Sequence, residues 1–286
     1  MSDLLSISDL GREDMAELLA LAERRDVGHP LAGEGVALFF QKPSARTRNS
    51  LEMAVVQLGG HPVYIGPDEV GLGERESAAD LARTLACYYR VIGARVVRHA
   101  DLEAMAEATA RPVLNLLSDS DHPLQALADM LTVRQLLGGL EGARIAYVGD
   151  ANNVCRSLAQ ACALVGAELS IASPEGFGLT APPSGVRQVA DPVEAVAGAA
   201  IVYTDVWVSM GQDEESESRR RALAPYRVDA ALMAKSDGAW FLHCLPARRG
   251  EEVTGEVIDG PRSAVWRQAE NRMHSARAAL AWMTGR

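Results

Sequence analysis

The sequence predicts an α/β protein in which two open parallel-sheet α/β domains flank a cleft. Short β-branched or apolar runs alternate with longer segments of helical period, an order typical of parallel sheets covered by helices on both faces. The runs divide more naturally into two sets of four strands than into one eight-stranded barrel. The length of 286 residues is sufficient for two domains, each with its own core.

The apolar runs predict eight strands, and the segments between them predict helices. The strands are GVALFF (35–40), PVYI (62–65), VIGARVV (91–97), PVLNL (112–116), ARIAYVG (143–149), AELSIAS (167–173), AAIVYTD (199–205) and AWFLHC (239–244). The helices are expected at 12–25, 48–59, 76–89, 101–109, 122–137, 153–165, 192–198, 227–234 and about 265–284. In the second helix, Leu51, Ala54, Val55 and Leu58 share one face, which predicts a buried side.

The helix at 122–137 is the expected connector between the two domains. The first domain is predicted to comprise residues 1–124 together with a C-terminal helix at 265–286 that packs back onto it. The second domain is predicted to comprise residues 125–264. Ligands of open α/β sheets bind beyond the carboxyl ends of the strands, so functional residues are expected at those ends.

Composition and charge exclude several classes of protein. No segment approaches the ~18 unbroken apolar residues of a membrane span. The net charge of −10 argues against a nucleic-acid partner, which would need a basic patch. The N-terminal MSDLLSISDLGREDM is too acidic for a secretory signal, and the four cysteines form no CxxC pair. A cytoplasmic protein without disulfides is therefore expected.

The strongest local signal is Ser44-Ala45-Arg46-Thr47-Arg48, which lies between a buried strand and an amphipathic helix. Unpaired N–H groups at a helix start attract anions, and hydroxyl and guanidinium groups add donors for phosphate oxygens. The competing interpretation is a plain serine cap with solvated arginines. In an acidic chain, this concentration of donors favours a phosphate site.

Four motifs in order resemble those of the aspartate/ornithine carbamoyltransferase family. Ser44-Ala45-Arg46-Thr47-Arg48 resembles its SxRTR phosphate motif, and His122-Pro123-Leu124-Gln125 resembles its HPxQ motif. Asp205-Val206-Trp207-Val208-Ser209-Met210-Gly211 resembles the DxWxSMG loop of the ornithine enzymes, and His243-Cys244-Leu245-Pro246 resembles their HCLP motif. The similarity covers nearly the whole chain, including YVGDANN (147–153) and AENRMH (269–274).

The resemblance implies transfer of a carbamoyl group from carbamoyl phosphate to the δ-amine of ornithine, without a cofactor or a metal. The implied carbamoyl-phosphate contacts are Ser44, Ala45, Arg46, Thr47, Arg95, His122, Gln125 and Arg272. The implied ornithine contacts are Asn153, Asp205, Ser209, Met210, Cys244 and Leu245, with Asn152 as an alternative to its neighbour. The implied catalytic residues are Arg46, Arg95, His122, Cys244 and Arg272.

Cys244 is expected to orient the δ-amine, and a cysteine near cations would have a lowered pKa. The family's Leu-Pro bond after this cysteine is cis, so a cis bond is expected at Leu245-Pro246. Aspartate, putrescine and N-acetylornithine are less favoured acceptors, because the HCLP motif, the SMG loop and Asp205 suit a diamino acid. A non-catalytic paralogue is the competing hypothesis from another class.

Three positions depart from the family pattern, and the resemblance also implies an assembly. Gly71 stands where many ornithine enzymes carry glutamine, Val96 replaces a threonine, and Arg248 replaces a histidine. These changes leave the acceptor choice and an intersubunit contact open. The family implies a homotrimer and a place in arginine biosynthesis, although catabolic members share the chemistry.

Overall fold

The computed structural model describes residues 3–208 and 216–285, and the chain divides into two compact units. Unit 1 comprises Met1–Leu131 together with Asn271–Arg286, and unit 2 comprises Thr132–Glu270. Each unit contains one parallel sheet, of four strands in unit 1 and five in unit 2. The predicted fold class of two parallel-sheet α/β domains is confirmed.

The sheet of unit 1 has the strand order β2-β1-β3-β4, and all four strands match predicted ones. They are β1 (Gly35–Phe40), β2 (His61–Ile65), β3 (Val91–Arg95) and β4 (Val113–Leu117). Its helices are α1 (Arg12–Glu23), α2 (Ala45–Gln57), α3 (Pro67–Val70), α4 (Ala78–Ala86), α5 (His99–Ala108) and α6 (Pro123–Leu137), the last of which continues into unit 2. Phe39, Leu81 and Met105 belong to one buried cluster that joins β1 to α4 and α5.

The sheet of unit 2 has the order β7-β6-β5-β8-β9. Its strands are β5 (Arg144–Val148), β6 (Glu168–Ala172), β7 (Val186–Val189), β8 (Ile201–Thr204) and β9 (Trp240–His243). Its helices are α7 (Asn153–Val165), α8 (Pro192–Val196), α9 (Ser216–Leu223), α10 (Ala230–Met233) and α11 (Gly255–Ile258). Val148, Val202 and Phe241 pack with residues of the last helices in one buried cluster.

Several details of the prediction were wrong, and the helices α3, α9 and α11 were not predicted. The second set has five strands, because the polar edge strand β7 exposes Arg187 and Gln188 and so lacks the apolar run that marked the others. The helix expected to begin at 48 begins at Ala45, since the extended Ser44 caps it by accepting a hydrogen bond from the Thr47 N–H. The predicted apolar face of α2 is confirmed, because its four members are fully buried.

The last helix, α12 (Val265–Gly285), contributes its residues from Asn271 onward to unit 1. Ser275 Oγ donates to the Leu124 carbonyl at 2.9 Å, and Arg277 donates to the carbonyls of Ala22 and Arg24. The expected return of the C-terminal helix to the N-terminal domain is confirmed. No helix within residues 3–208 and 216–285 combines the length and apolar character that a membrane crossing requires.

Strand order creates one reversal point in each sheet. In unit 1 the chain moves outward from β1 to β2 and then returns to place β3 on the other side of β1. In unit 2 it moves outward from β5 through β6 to β7 and returns to place β8 beside β5. Loops diverge at such points and leave a crevice at the carboxyl ends of the strands.

Candidate active site

The start of α2 lies at the reversal point of unit 1. Ser44 Oγ lies 3.2 Å from Thr47 Oγ1 and accepts the Thr47 N–H at 3.4 Å. Arg46 lies in the first turn and is exposed, with neither an ion pair nor a hydrogen bond to any described residue. The helix start therefore presents N–H groups, hydroxyls and an uncommitted guanidinium, which together suit an anion.

Arg48 belongs to the same motif but has different surroundings. Its Nε donates to Glu52 Oε1 at 2.7 Å, and its guanidinium lies 4.0 Å from the centre of the Tyr64 ring. These contacts fix Arg48 to the outer side of α2. The two arginines of the motif therefore differ, because Arg48 has partners within the protein and Arg46 has none among the described residues.

Arg95 ends β3 directly beside the end of β1, where it pairs in register with Phe40. The side chain is buried, and Nη1 donates toward Thr47 Oγ1 over 3.5 Å. Parallel pairing of β1 and β3 thus brings residues 48 positions apart to one point. A guanidinium in this position places positive charge next to the start of α2.

His122 precedes α6 and lies between two buried arginines of unit 1. Burial lowers its pKa well below the ordinary histidine value, and the charges of Arg272 and Arg95 lower the pKa further. The ring is therefore neutral at pH 7. Arg272 Nη1 lies 3.3 Å from Nε2, and an arginine can only donate, so Nε2 accepts and the ring proton lies on Nδ1.

Gln125 lies in the first turn of α6 and is held by a buried carboxylate. Its Nε2 donates to Asp129 Oδ1 at 2.8 Å. A carboxylate only accepts, so the amide nitrogen faces Asp129 and the amide oxygen is left as an acceptor. Sequence reasoning did not select Asp129, although its position four residues after Gln125 on one helix was the available signal.

Asp205 follows β8 at the reversal point of unit 2, and its carboxylate accepts three hydrogen bonds. The Val206 N–H donates to Oδ1 at 2.8 Å, and Cys244 Sγ donates to the same oxygen at 2.9 Å. Asn152 Nδ2 donates to Oδ2 at 2.7 Å. These contacts fix a buried negative charge at the carboxyl end of β8, where a substrate ammonium would be stabilised.

The structure distinguishes Asn152 from Asn153. Asn152 caps α7, because its Oδ1 accepts the N–H groups of Val154 and Cys155, while its amide nitrogen binds Asp205. Both ends of the Asn152 amide are therefore engaged within the protein. Asn153, the next residue, is partly exposed, and Asn153 stays the predicted contact of ornithine.

Cys244 follows β9, whose His243 pairs in register with Thr204 at the end of β8. This pairing puts its thiol beside Asp205. The described contact of this thiol is with a carboxylate oxygen, Asp205 Oδ1, at 2.9 Å, and the expected neighbouring cations stay a prediction. The nearby Arg248 and Arg249 make ion pairs with Glu251 and Asp259 instead.

The Leu245-Pro246 peptide bond is cis, as expected. Leu245 itself has a φ of 60°, which is unusual for a leucine. Its N–H donates to His243 Nδ1 at 2.8 Å. Cys244 and Leu245 are both partly exposed, so their polar atoms are accessible at the carboxyl end of the sheet.

Asp150, which follows β5, adds negative charge near Asp205 and was not selected from the sequence. Burial raises the pKa of Asp150 to about 6, against the opposing charge of Arg219, and Asp205 raises it further. Arg219 Nη2 lies 2.5 Å from Asp150 Oδ2, and its Nε donates to the Trp207 carbonyl at 3.0 Å. The available signal was the position of this acidic residue directly after the apolar run ARIAYVG.

Two predicted ornithine contacts, Ser209 and Met210, lie outside the described residues. Among those described, Asp205, His243 and Cys244 offer donor atoms within 4.8 Å of one another. Both ring nitrogens of His243 are already hydrogen-bonded, to Glu252 and to the Leu245 N–H. That set is therefore committed within the protein and does not fit a metal ion.

Family models match both parts of the chain. The model of the aspartate/ornithine carbamoyltransferase carbamoyl-P binding domain matches residues 2–135, and that of the Asp/Orn binding domain matches residues 141–283. The chain belongs to the aspartate/ornithine carbamoyltransferase family. It is therefore a carbamoyltransferase, and an enzyme by family.

Relatives within the family extend over the full chain. The ornithine carbamoyltransferase of Thermus thermophilus is 47% identical over 290 residues, which cover 97% of this chain and 95% of that protein. The anabolic ornithine carbamoyltransferase of Pyrococcus furiosus is 44% identical over 99% of this chain and 96% of its own length. A solved ornithine carbamoyltransferase from that organism superposes with a TM-score of 0.94 at 41% identity, covering 99% and 97% of the two chains.

A solved N-acetyl-L-ornithine transcarbamylase has the same fold with lower identity. Its TM-score is 0.88 and its identity 27%, over 98% of this chain and 99% of that one. The fold therefore accommodates more than one amine acceptor. The acceptor of this chain is decided by individual residues rather than by architecture.

The structure shows where the three departures from the family pattern lie. Gly71 ends α3 in a left-handed conformation, with φ 66°, and an added Cβ would lie 2.9 Å from the Arg75 side chain. Val96 is buried in the core of unit 1. Arg248 uses its backbone N–H to donate to Glu252, so the side chain that replaces histidine is not required for that contact.

Proposed function

We propose that this enzyme transfers the carbamoyl group of carbamoyl phosphate to the δ-amine of L-ornithine, giving L-citrulline and phosphate. The observation that carries the proposal is the Asp205 carboxylate, held by three donors beside the Cys244 thiol. A fixed negative charge next to a thiol suits a substrate with an α-ammonium and a second amine. The full-length similarity to ornithine carbamoyltransferases supports the same acceptor.

Unit 1 binds carbamoyl phosphate in this proposal. The phosphate occupies the start of α2, where Ser44, Ala45, Arg46 and Thr47 supply N–H, hydroxyl and guanidinium donors. The carbamoyl oxygen is met by donors from Thr47, Arg95 and His122. The free amide oxygen of Gln125 accepts a hydrogen bond from the carbamoyl NH2 group, because Asp129 holds the amide nitrogen. Arg272 contributes a further cation beside His122.

Unit 2 binds ornithine in this proposal. Asp205 pairs with the α-ammonium, and Asn153, Ser209 and Met210 hold the amino acid end. The Cys244 sulfur and the Leu245 carbonyl orient the δ-amine. An alkylammonium is mostly protonated at neutral pH, so the reactive neutral amine must be captured in an environment that accepts its hydrogens. The thiol and the carbonyl provide two such acceptors.

The reaction then follows from the charges of the two sites. The neutral δ-amine attacks the carbamoyl carbon and forms a tetrahedral species, in which negative charge develops on the former carbonyl oxygen. Arg95, neutral His122 and Thr47 stabilise that oxygen in an arrangement of oxyanion-hole type. Collapse breaks the bond between the carbamoyl carbon and the phosphate oxygen, and the leaving phosphate takes the proton that the attacking amine loses. Arg46 and the helix start stabilise the charge of the phosphate. No covalent enzyme intermediate is required.

The wider biological assignments are proposals of the same kind. Residues 1–124 with 265–286 form the carbamoyl-phosphate domain, and residues 125–264 form the ornithine domain. We expect a homotrimer, as the family resemblance implies, in the cytoplasm. The four free cysteines agree with a reducing compartment. A role in arginine biosynthesis is supported by the relative named anabolic.

An acceptor panel tests the proposal. The purified enzyme is incubated with carbamoyl phosphate and with ornithine, putrescine, N-acetylornithine or aspartate, and ureido product and phosphate are measured. Ornithine should give the highest kcat/KM by at least ~100-fold, since the site offers a paired carboxylate for its ammonium. Preference for another acceptor would reassign the substrate, and no turnover with any of them would indicate a non-catalytic paralogue.

A further inference from the structure

The end of β9 in unit 2 contains a buried histidine–carboxylate hydrogen bond that the mechanism does not use. His243 and Glu252 are both completely buried, with His243 Nε2 3.1 Å from Glu252 Oε1. The same carboxylate oxygen accepts the Arg248 N–H at 2.5 Å. Glu252 Oε2 is buried and has no hydrogen-bond partner within the described part of the chain.

The hydrogen bonds determine which nitrogen of His243 carries the proton. A backbone N–H can only donate, and the Leu245 N–H lies 2.8 Å from Nδ1, so Nδ1 is the acceptor. The proton is therefore on Nε2, which donates to Glu252 Oε1. Replacing Glu252 by an apolar residue would remove the only described acceptor for Nε2–H and release the ring to place its proton on Nδ1 instead.

This tautomer matters because Nδ1 fixes the turn that follows. Leu245 adopts a φ of 60°, a left-handed conformation that leucine rarely adopts. The hydrogen bond from its N–H to the side chain two residues earlier closes the turn, in the manner of an Asx-turn. Cys244 lies inside that turn, so the bond determines where its sulfur and the Leu245 carbonyl lie.

Stability alone does not account for Glu252. A buried carboxylate with one unsatisfied oxygen has a desolvation penalty that its contacts do not fully offset. Replacement of buried ion pairs by apolar residues is often neutral or stabilising. A stabilising contribution therefore does not explain the presence of Glu252 at this position.

We propose that Glu252 and His243 are positioning residues that hold Cys244 and Leu245 in the conformation that receives the acceptor amine, by fixing the His243 tautomer. This inference rests on the proposed function. Glu252 fixes the orientation of the His243 ring, and the ring accepts the Leu245 N–H. The resulting turn fixes the position of the Cys244 thiol. Neither side chain needs to contact a substrate.

The test uses four single variants and one double variant of the full-length enzyme, after activity of the unaltered enzyme has been measured with ornithine. Glu252→Leu removes the acceptor for Nε2–H, and Glu252→Gln keeps a carbonyl oxygen there. His243→Leu removes the acceptor for the Leu245 N–H, and His243→Asn restores one, because an asparagine Oδ1 can close the same turn.

We expect kcat/KM for ornithine to fall roughly 10- to 100-fold in Glu252→Leu and His243→Leu, as for loss of one critical hydrogen bond. Glu252→Gln and His243→Asn should stay within about 5-fold of the unaltered enzyme, as their acceptors are retained. The affinity for carbamoyl phosphate, measured by calorimetry, should not change. Glu252→Leu should unfold at a lower denaturant concentration, because the Arg248 N–H and His243 Nε2–H lose their acceptor, so its kinetics are measured where it is fully folded.

The double variant gives the sharpest outcome. In the His243→Asn background the turn no longer depends on a ring tautomer, so adding Glu252→Leu should cost less than about 3-fold. Equal losses in both backgrounds would overturn the proposal, as would Glu252→Leu with unaltered kcat/KM. An unaltered enzyme that is inactive with ornithine would instead refute the proposed function, and activity loss that parallels unfolding would show a purely structural role.

Discussion

Replacement of Asp205 by asparagine is the most informative perturbation of the proposed ornithine site. The carboxylate accepts hydrogen bonds on both oxygens, from Asn152 on one and from Val206 and Cys244 on the other. An asparagine has only one acceptor oxygen, so in either orientation its NH2 group faces a donor. The shape of the side chain at position 205 is unchanged, but in one buried contact two hydrogen-bond donors now face each other.

The magnitude follows from two separate losses. The mismatched contact should lower the free energy of unfolding by about 1–3 kcal/mol, the usual penalty for an unsatisfied buried group. Loss of the charge that pairs with the substrate ammonium should lower kcat/KM for ornithine by a further factor of roughly 10 to 150, corresponding to about 1.5–3 kcal/mol for a hydrogen bond to a charged group.

The assay is initial-rate kinetics with ornithine varied at saturating carbamoyl phosphate, together with urea unfolding. Asp191→Asn is the matched control, since Asp191 is an exposed cap of α8 in the same unit and asparagine caps equally well. The control should alter neither quantity. If Asp205→Asn retained kcat/KM within about twofold at full stability, the assignment of Asp205 to the substrate ammonium would be refuted.

Three further predictions concern other parts of the two sites. Arg46→Ala should lower kcat/KM by ~100-fold or more without destabilising the exposed helix start. Arg48→Ala should retain activity and lower the free energy of unfolding by at most about 0.5 kcal/mol. Near-normal turnover of Arg46→Ala would contradict the role of Arg46 in binding phosphate. Asp129→Leu should raise the Kd for carbamoyl phosphate by ~10-fold and leave the KM for ornithine unchanged, because the Gln125 amide becomes free to turn. An unchanged Kd in calorimetry would exclude the proposed orientation of the Gln125 amide. Burial raises the pKa of Asp150 from 3.8 to about 6, so the folded state binds the carboxyl proton more tightly than the unfolded state does. The stability that this group contributes is fully present below pH 3.8 and is lost as the pH rises through 6. The free energy of unfolding of Asp150→Asn, relative to that of the unaltered protein, should therefore be about 1 kcal/mol higher at pH 8 than at pH 5. A difference that does not change with pH would exclude the raised pKa.

The fold class and most elements follow from the sequence because their signals are local. All eight predicted strands are present, since each is a short apolar run with a polar or glycine boundary. The edge strand β7 was missed because its two central residues, Arg187 and Gln188, are polar and exposed, so it lacks an apolar run. The start of α2 was placed too late, because the capping role of Ser44 depends on its backbone conformation.

The candidate site is determined by the sequence only in part. The motifs identified Ser44, Thr47, Asp205 and Cys244, because residue type and spacing within a motif are properties of the chain. They did not distinguish Asn152 from Asn153, since both are amides and only the direction of each side chain separates a helix cap from an exposed group.

The sequence by itself therefore determined the family, the alternation of strands and helices, and the residue types available for an anion and for an amine. Only the tertiary structure decided which atoms meet, because each decisive contact joins residues that are distant along the chain: Thr47 with Arg95, His122 with Arg272, and Asp205 with Cys244. Parallel pairing and helix packing bring such residues together. Their hydrogen-bond geometry then fixes the protonation and orientation that spacing along the chain leaves open.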